Sequence, residues 1–313
     1  MPKATDHFEA LYGQIDAAAL HPDLNPDALK YYSRCADKIK EIKYVIKNSL
    51  YIDHDLFLLS NTTHGILAAS VGFCAEGFRL TPEAGAYTPY RVLGQGIEGR
   101  NCGEALALET HIDPDTGRIS SLSRKAGKPL VCDAAQSFAT AMRHDAALAA
   151  DVFVCPLHKH AGLATGLGLL GIRNTLHLPR LRDVAELAEA GTKNYGMLRE
   201  VAHRANALCG RLTNRFTLTM TQGHARKLGA VGIEVVSPLD EPLPFAILNG
   251  VEPARLAEIV HDSVFTFKRL DKSGHIRVSG VVRGAYGDDP LEHSKALIPL
   301  LLQAYDSGGK IAR

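Results

Sequence analysis

The chain predicts a layered α/β fold with a mainly parallel sheet, followed by a smaller α+β unit, and three observations carry that prediction. Short apolar runs that suit buried strands alternate with longer runs of helical periodicity over the first two thirds of the sequence. Several of the short runs end in a polar residue, as strands do where a parallel sheet opens on its ligand crevice. From about residue 213 the pattern changes to closely spaced strands with only two helices among them.

The elements follow in order. From Pro26 to about Leu50, Ile39, Ile42, Val45 and Ile46 recur at helical spacing among lysines and alanines, which makes an amphipathic helix. Leu56-Phe57-Leu58-Leu59 is a short strand. Ser60-Asn61-Thr62-Thr63 supplies small polar capping residues, and the apolar run Gly65 to Phe73 continues as a helix. Phe78 to Leu80, Tyr90 to Leu93 and Ala105 to Leu108 read as strands, and Asp113-Pro114-Asp115-Thr116-Gly117 carries the signals of a surface turn. Pro129 to Cys132 is a buried strand ending in Asp133, and Asp151 to Cys155 is another that stops just before His158-Lys159. Leu181 to Leu212 reads as one long helix bridging to the second unit. Beyond it come strands at Phe216 to Thr221, Gly232 to Val236, Phe245 to Leu248 and Ile276 to Val281, with helices at Pro253 to Asp262 and Leu291 to Tyr305. The division is an N-terminal segment 1–35, a large domain 36–205 and a small domain 206–313.

Composition narrows the function. Hydrophobic residues at 46% and charged residues at 22% match a compact globular protein. Lys and Arg number 35 against 34 Asp and Glu, so the electrostatic footprint of a nucleic-acid binder is missing and a small-molecule ligand is expected. The longest apolar stretch, Gly162 to Ile172, falls far short of the roughly 20 residues that span a bilayer. The polar opening Met1 to His7 lacks the apolar segment of a secretory signal, so a cytoplasmic protein is expected. The six cysteines (Cys35, Cys74, Cys102, Cys132, Cys155, Cys209) form no Cys-x-x-Cys pair and are read as reduced core thiols.

Two segments match Gly-x-Gly-x-x-Gly, at Gly94, Gly96, Gly99 and at Gly166, Gly168, Gly171, but neither runs into the helix that a dinucleotide site requires. The denser polar feature is His158-Lys159-His160, next to a buried strand. Asp133 ends an earlier strand and would share its sheet edge. Ser60 to Thr63 opens a helix whose N–H groups and hydroxyls suit a phosphate. An amine, a carboxylate and an anion cup are what pyridoxal phosphate demands. Two other classes remain open: an α/β protein that binds a ligand or nucleotide without catalysis, and a metal hydrolase using His158, His160 and Asp133.

The ordered set Ser60 to Ile66, Val131 to Gln136, His158-Lys159 with Thr165 to Gly168, Glu189 to Thr192 and Ile276 to Ser279 resembles the class V aminotransferase family of fold type I pyridoxal phosphate enzymes, which includes cysteine desulfurases and isopenicillin N epimerase-like proteins. The resemblance implies a three-layer α/β/α large domain and a homodimer with active sites at the interface. It implies that Lys159 forms a Schiff base with pyridoxal 5′-phosphate, that Asp133 pairs with the ring nitrogen, and that Gln136 bonds the ring oxygen. Thr62, Thr63 and His158 would hold the phosphate, Thr192 would reach the partner's phosphate, and Arg277 would bind the substrate carboxylate. Ala84 stands where the family stacks a His or an aromatic on the ring, leaving Tyr87, Tyr90 or His64 for that place. Pro156 replaces a frequent phosphate-binding Ser, and Val264 to His275 contains no cysteine where desulfurases carry theirs. Lys268, Arg269 and Arg283 either read a second acidic group of the substrate or are solvated surface charge. The implied activity is amino-group transfer on an amino acid or other amine, with elimination or carbon–sulfur lyase chemistry on the same scaffold as the alternative.

Overall fold

The computed structural model describes residues 28–83, 86, 90, 103–140, 149–163, 166–190, 193–207, 214–261, 263–280 and 291–306. Its larger sheet has six strands: β1 (His54–Leu59), β2 (Phe78–Pro82), β3 (Glu104–Thr110), β4 (Val131–Asp133), β5 (Val152–Pro156) and β6 (Gly168–Arg173). Their spatial order is β1-β6-β5-β4-β3-β2. β2 to β5 pair in parallel, whereas β6 is antiparallel to both of its neighbours, β1 and β5. Five strands therefore deliver their carboxyl ends to one edge, and β6 starts from that edge.

Both faces of the sheet are covered, so its strands read as nearly continuous apolar runs. Successive side chains point to opposite faces. On one face Leu58, Phe153, Cys155 and Leu169 meet Ile42 and Ile46 of α1 (Ala28–Leu50) and Leu198 and Val201 of α4 (Tyr195–Ala207). On the other, Phe57, Leu59, Val152, Val154 and Leu170 meet Ile66 and Phe73 of α2 (Thr62–Ala75) and Leu181 of α3 (Pro179–Glu189). The three-layer α/β/α architecture follows from that alternation.

The remaining elements are β7 (Phe216–Thr219), α5 (Gln222–Gly229), β8 (Glu234–Val235), β9 (Pro242–Leu243), β10 (Phe245–Asn249), α6 (Pro253–Val260), β11 (Phe265–Arg269), β12 (Ile276–Gly280), β13 (Leu291–Glu292) and α7 (Ser294–Asp306). An antiparallel sheet of order β11-β12-β10-β8 packs one face on the helices, through Ala246, Leu248, Phe265, Ile276 and Val278 against Leu256 and Leu297. Its other face, with Phe245, Ile247 and Leu270, packs on Ile112 of the large unit. This second contact brings the small sheet over the carboxyl edge of the large one.

Several expectations need correction. The long helix 181–212 is two helices, α3 and α4, and α4 restarts where the Asn194 side chain accepts a hydrogen bond from Met197 N at 3.0 Å. Helix α5 lies in the connection between the expected strands Phe216 to Thr221 and Gly232 to Val236, where no helix was expected. Thr221 ends the strand by capping α5, its hydroxyl accepting from His224 N while the His224 ring accepts from Thr221 N. Strand β11 was missed altogether, and the closing helix begins at Ser294 because Leu291 and Glu292 pair with β7. Of the expected strand at Tyr90 to Leu93, only Tyr90 lies within the described residues. Cys35, Cys132 and Cys155 are buried thiols. Cys74 is disulfide-bonded, contrary to the reduced-thiol expectation, since spacing along the chain says nothing of which thiols meet in space. Among the described residues no helix is long and apolar enough to cross a membrane.

Candidate active site at the carboxyl edge of the sheet

The parallel strands bring the polar strand ends together. Asp133 closes β4, Thr110 closes β3, the chain after β1 turns through Asn61 into Thr62 and Thr63, and the chain after β5 passes through Pro156 to His158 and Lys159. These residues line a cavity of about 320 Å³ together with Tyr90 and Gln136. Lys268, Leu270 and Arg277 of the small sheet form its opposite wall.

Local chemistry sets each position. Asn61 is extended (φ −169°) and its side chain accepts from His64 N at 2.8 Å, which starts α2 at the cavity and leaves the first N–H groups of the helix available to an anion. The turn is held against β6 by Gly168, where a Cβ would lie 2.7 Å from the Asn61 carbonyl carbon and 3.0 Å from Thr62 N. After β5, Leu157, Ala161 and Leu163 are buried, and Leu157 N bonds Leu167 O at 3.0 Å, so the loop is anchored by its apolar side chains while His158 and Lys159 line the cavity.

Lys159 is accessible from the cavity yet surrounded by protein. Burial lowers its pKa, Arg277 and Lys268 press in the same direction, and the charge of Asp133 opposes them. Asp133 is 4% exposed, and its Oδ1 accepts one hydrogen bond, from Ala135 N at 2.9 Å. Burial raises its pKa against the pull of that N–H and of Lys159. No cation lies within 4 Å of its carboxylate among the described residues. Burial and the adjacent Lys159 lower the pKa of His158. Arg277 donates to Pro114 O at 3.3 Å and stacks 5.3 Å from the Phe245 ring centroid; burial lowers its pKa and Asp115 acts against that.

Thr62, Thr63, Asp133, Gln136, His158, Lys159 and Arg277, all singled out from the sequence, thus surround one cavity. Thr192, Ala84, Tyr87 and Arg283 lie outside the described residues. Of the ring-stacking candidates, Tyr90 lines the cavity, whereas the His64 ring bonds Ser60 Oγ at 3.1 Å and is not part of the lining. His160 is also set back from it. Burial drives its pKa down to about 3, and its buried Nε2 has no hydrogen-bond partner among the described residues. Among the described residues no group of three His, Cys, Asp or Glu side chains could hold a metal ion.

The segment Asp113 to Gly117 is not the plain surface turn its composition announced. Asp113 Oδ1 accepts from Asp115 N and Thr116 N, which shapes the turn, but Pro114 and Asp115 line the cavity. Gly117 (φ 73°) packs so closely on Ser237, Pro238 and Leu243 that a Cβ would lie 3.2 Å from each. Asn61, Thr110 and Leu270 were missed as lining residues too, and only Asn61 carried a signal, its place in the capping run. The glycines of the second Gly-x-Gly-x-x-Gly match serve packing: Gly168 does so as described, and a Cβ on Gly171 would lie 2.2 Å from the Phe153 ring. Gly94, Gly96 and Gly99 lie outside the described residues.

Residues 15–295 match the model of a family described as a family of unknown function (DUF6024). The chain belongs to that family. No curated protein matches it in sequence. Among solved structures it is similar to the apo cysteine desulfurase of Thermococcus onnurineus NA1, with TM-score 0.59, 14% identity, and coverage of 87% of this chain and 85% of that one. It is similar to an aspartate aminotransferase of subgroup IV from Thermus thermophilus, with TM-score 0.57, 16% identity, and coverage of 91% and 97%. A phosphoserine aminotransferase from Cytophaga hutchinsonii matches with TM-score 0.56, 13% identity and coverage of 89% of each chain. At such identities the likeness is one of fold, the fold type I arrangement that the resemblance implied.

Proposed function

We propose that the cavity holds pyridoxal 5′-phosphate and that the protein is an enzyme acting on an amino acid or related amine, with amino-group transfer as its reaction. The observation that carries this reading is the convergence of Lys159, Asp133 and the start of α2 on one cavity. The residues fit the group. Among the described residues Asp133 is a buried carboxylate with one hydrogen bond and no cation in contact, and a protonated ring nitrogen is the partner that its burial leaves wanting. Thr62, Thr63 and the free N–H groups of α2 suit the phosphate, aided by His158.

When bound, the cofactor supplies an electron sink for charge that develops at the substrate Cα. The chain's own groups do the rest. Lys159 would hold the cofactor covalently, and burial, which lowers the pKa of its amine, favours the neutral form that can accept and return a proton. Asp133 would keep the proton on the ring nitrogen, and Gln136 would bond the ring oxygen. Arg277 offers a planar fork to the substrate carboxylate. Thr192 would complete the phosphate site of a second copy, which makes the active form a homodimer.

The test is spectroscopic. Incubation with pyridoxal 5′-phosphate should give a visible absorbance band that Lys159→Ala abolishes, and borohydride reduction should fix the added mass on the peptide containing Lys159. A colourless protein with no added mass overturns the reading.

A further inference from the structure

The small sheet sets two cations directly opposite one another. In the antiparallel pair β11–β12, Lys268 is the register partner of Arg277. Such partners project on the same face with Cβ atoms about 4.5–5.5 Å apart. The alternate residues Phe265, Phe267, Ile276 and Val278 join the apolar core on the other face, and both cations line the cavity. Like charges directly opposite weaken a sheet. Nothing in the packing requires this pair, because Lys268 is exposed and makes no hydrogen bond or ion pair among the described residues.

The other charges of the lining leave Lys268 unmatched. Of the two carboxylates among the described lining residues, Asp133 lies on the far wall at the end of β4, and Asp115 is shared between Arg277 and Lys272, whose Nζ is 3.6 Å from Asp115 Oδ2. Arg277 is further satisfied by Pro114 O and the Phe245 ring. The guanidinium is thus held in place, and the ammonium beside it meets no protein anion among the described residues.

The geometry points to Lys268 as a specificity residue that, beside Arg277, reads a second acidic group on the substrate, so the preferred substrates are amino acids bearing a distal carboxylate or phosphate. As a statement about substrates this rests on the function proposed above; as a statement about anion binding it does not. The pair offers a fork for one acidic group and a point charge for the other.

Amine-free probes separate the two. Succinate, 3-phosphonopropionate and butyrate are titrated calorimetrically into the full chain after incubation with pyridoxal 5′-phosphate, whose visible band is recorded in parallel. The dianions should bind at least about tenfold more tightly than butyrate, the step that corresponds to one added charge-assisted hydrogen bond. Lys268→Gln should remove that advantage by weakening the dianions far more than butyrate, while Lys268→Arg should keep it. The tighter of the two dianions identifies the second group as carboxylate or phosphate. Equal binding of all three probes to the wild-type protein, or an advantage that survives Lys268→Gln, overturns the assignment. Absence of a dianion preference in a wild-type protein that shows the band refutes this inference alone, and a wild-type preference without the band refutes only the proposed function.

Discussion

Gly168→Ala probes the contact that places the helix start at the cavity. The new methyl would sit 2.7 Å from the carbonyl carbon of Asn61 and 3.0 Å from both its oxygen and Thr62 N. Ordinary carbon contacts begin near 3.5 Å, so the backbones must part by about 0.8 Å. Neither side yields easily. Gly168 is paired to Leu59 on one side and Pro156 on the other, and the first turn of α2 is anchored by Ile66 and Phe73, both fully buried. Overpacking of this kind costs about 1–3 kcal/mol, and each kcal/mol lowers Tm by roughly 2 °C in a protein of this size. Because the displaced turn carries Thr62 and Thr63, affinity for pyridoxal phosphate should fall as well. Gly229→Ala is the control: it closes α5, a Cβ there meets nothing within 4 Å, and its φ is not positive. That change should leave Tm unchanged or raise it, by up to about 1 kcal/mol of stability. Thermal unfolding and a cofactor titration measure both variants. A Gly168→Ala protein with wild-type Tm and wild-type cofactor affinity refutes the packing account of this glycine.

Two further outcomes are expected. Because burial raises the pKa of Asp133, its contribution to stability is greatest below the ordinary carboxyl range and is lost as pH rises through the folded-state value. Asp133→Asn should therefore raise the Tm of the cofactor-free protein at neutral pH while weakening cofactor retention by about tenfold or more; a lower Tm would contradict the first part and unaltered retention the second. His54 is fully buried, its Nε2 bonded to Ala150 O at 2.9 Å, and burial drives its pKa down to about 4. The unfolded chain binds a proton near pH 6.5 and the folded one does not, so stability is full above that pH and falls by roughly 3 kcal/mol between pH 6.5 and 4. Urea unfolding across that window should show the loss, and His54→Gln should flatten it; an unchanged slope in the variant rules out His54 as its source.

Strands β1 to β5 of the larger sheet were legible because a strand covered on both faces is largely apolar, and its end is marked by the first polar residue. Asp133 and His158-Lys159 stood out for that reason, and Thr62-Thr63 because capping residues precede an apolar helix. The break between α3 and α4 and the helix α5 were harder, since short helices are set by caps such as Asn194 and Thr221 that periodicity does not weigh. The cavity-lining role of Pro114 and Asp115 had no local signal at all. Their Pro-Asp-Gly composition describes a turn wherever it lies, and only the packing of Ile112 on Phe245, Ile247 and Leu270 makes this one a cavity wall.

The residue types, their order and the strand ends that carry them belong to the amino-acid sequence, because hydrophobic patterning and capping act over a few neighbouring residues. Which strands stand side by side, the reversal of β6, and the descent of Lys268 and Arg277 onto the edge opposite Lys159 belong to the tertiary structure. Those placements come from contacts between residues far apart in the chain, where burial of apolar surface rather than local preference selects the partner.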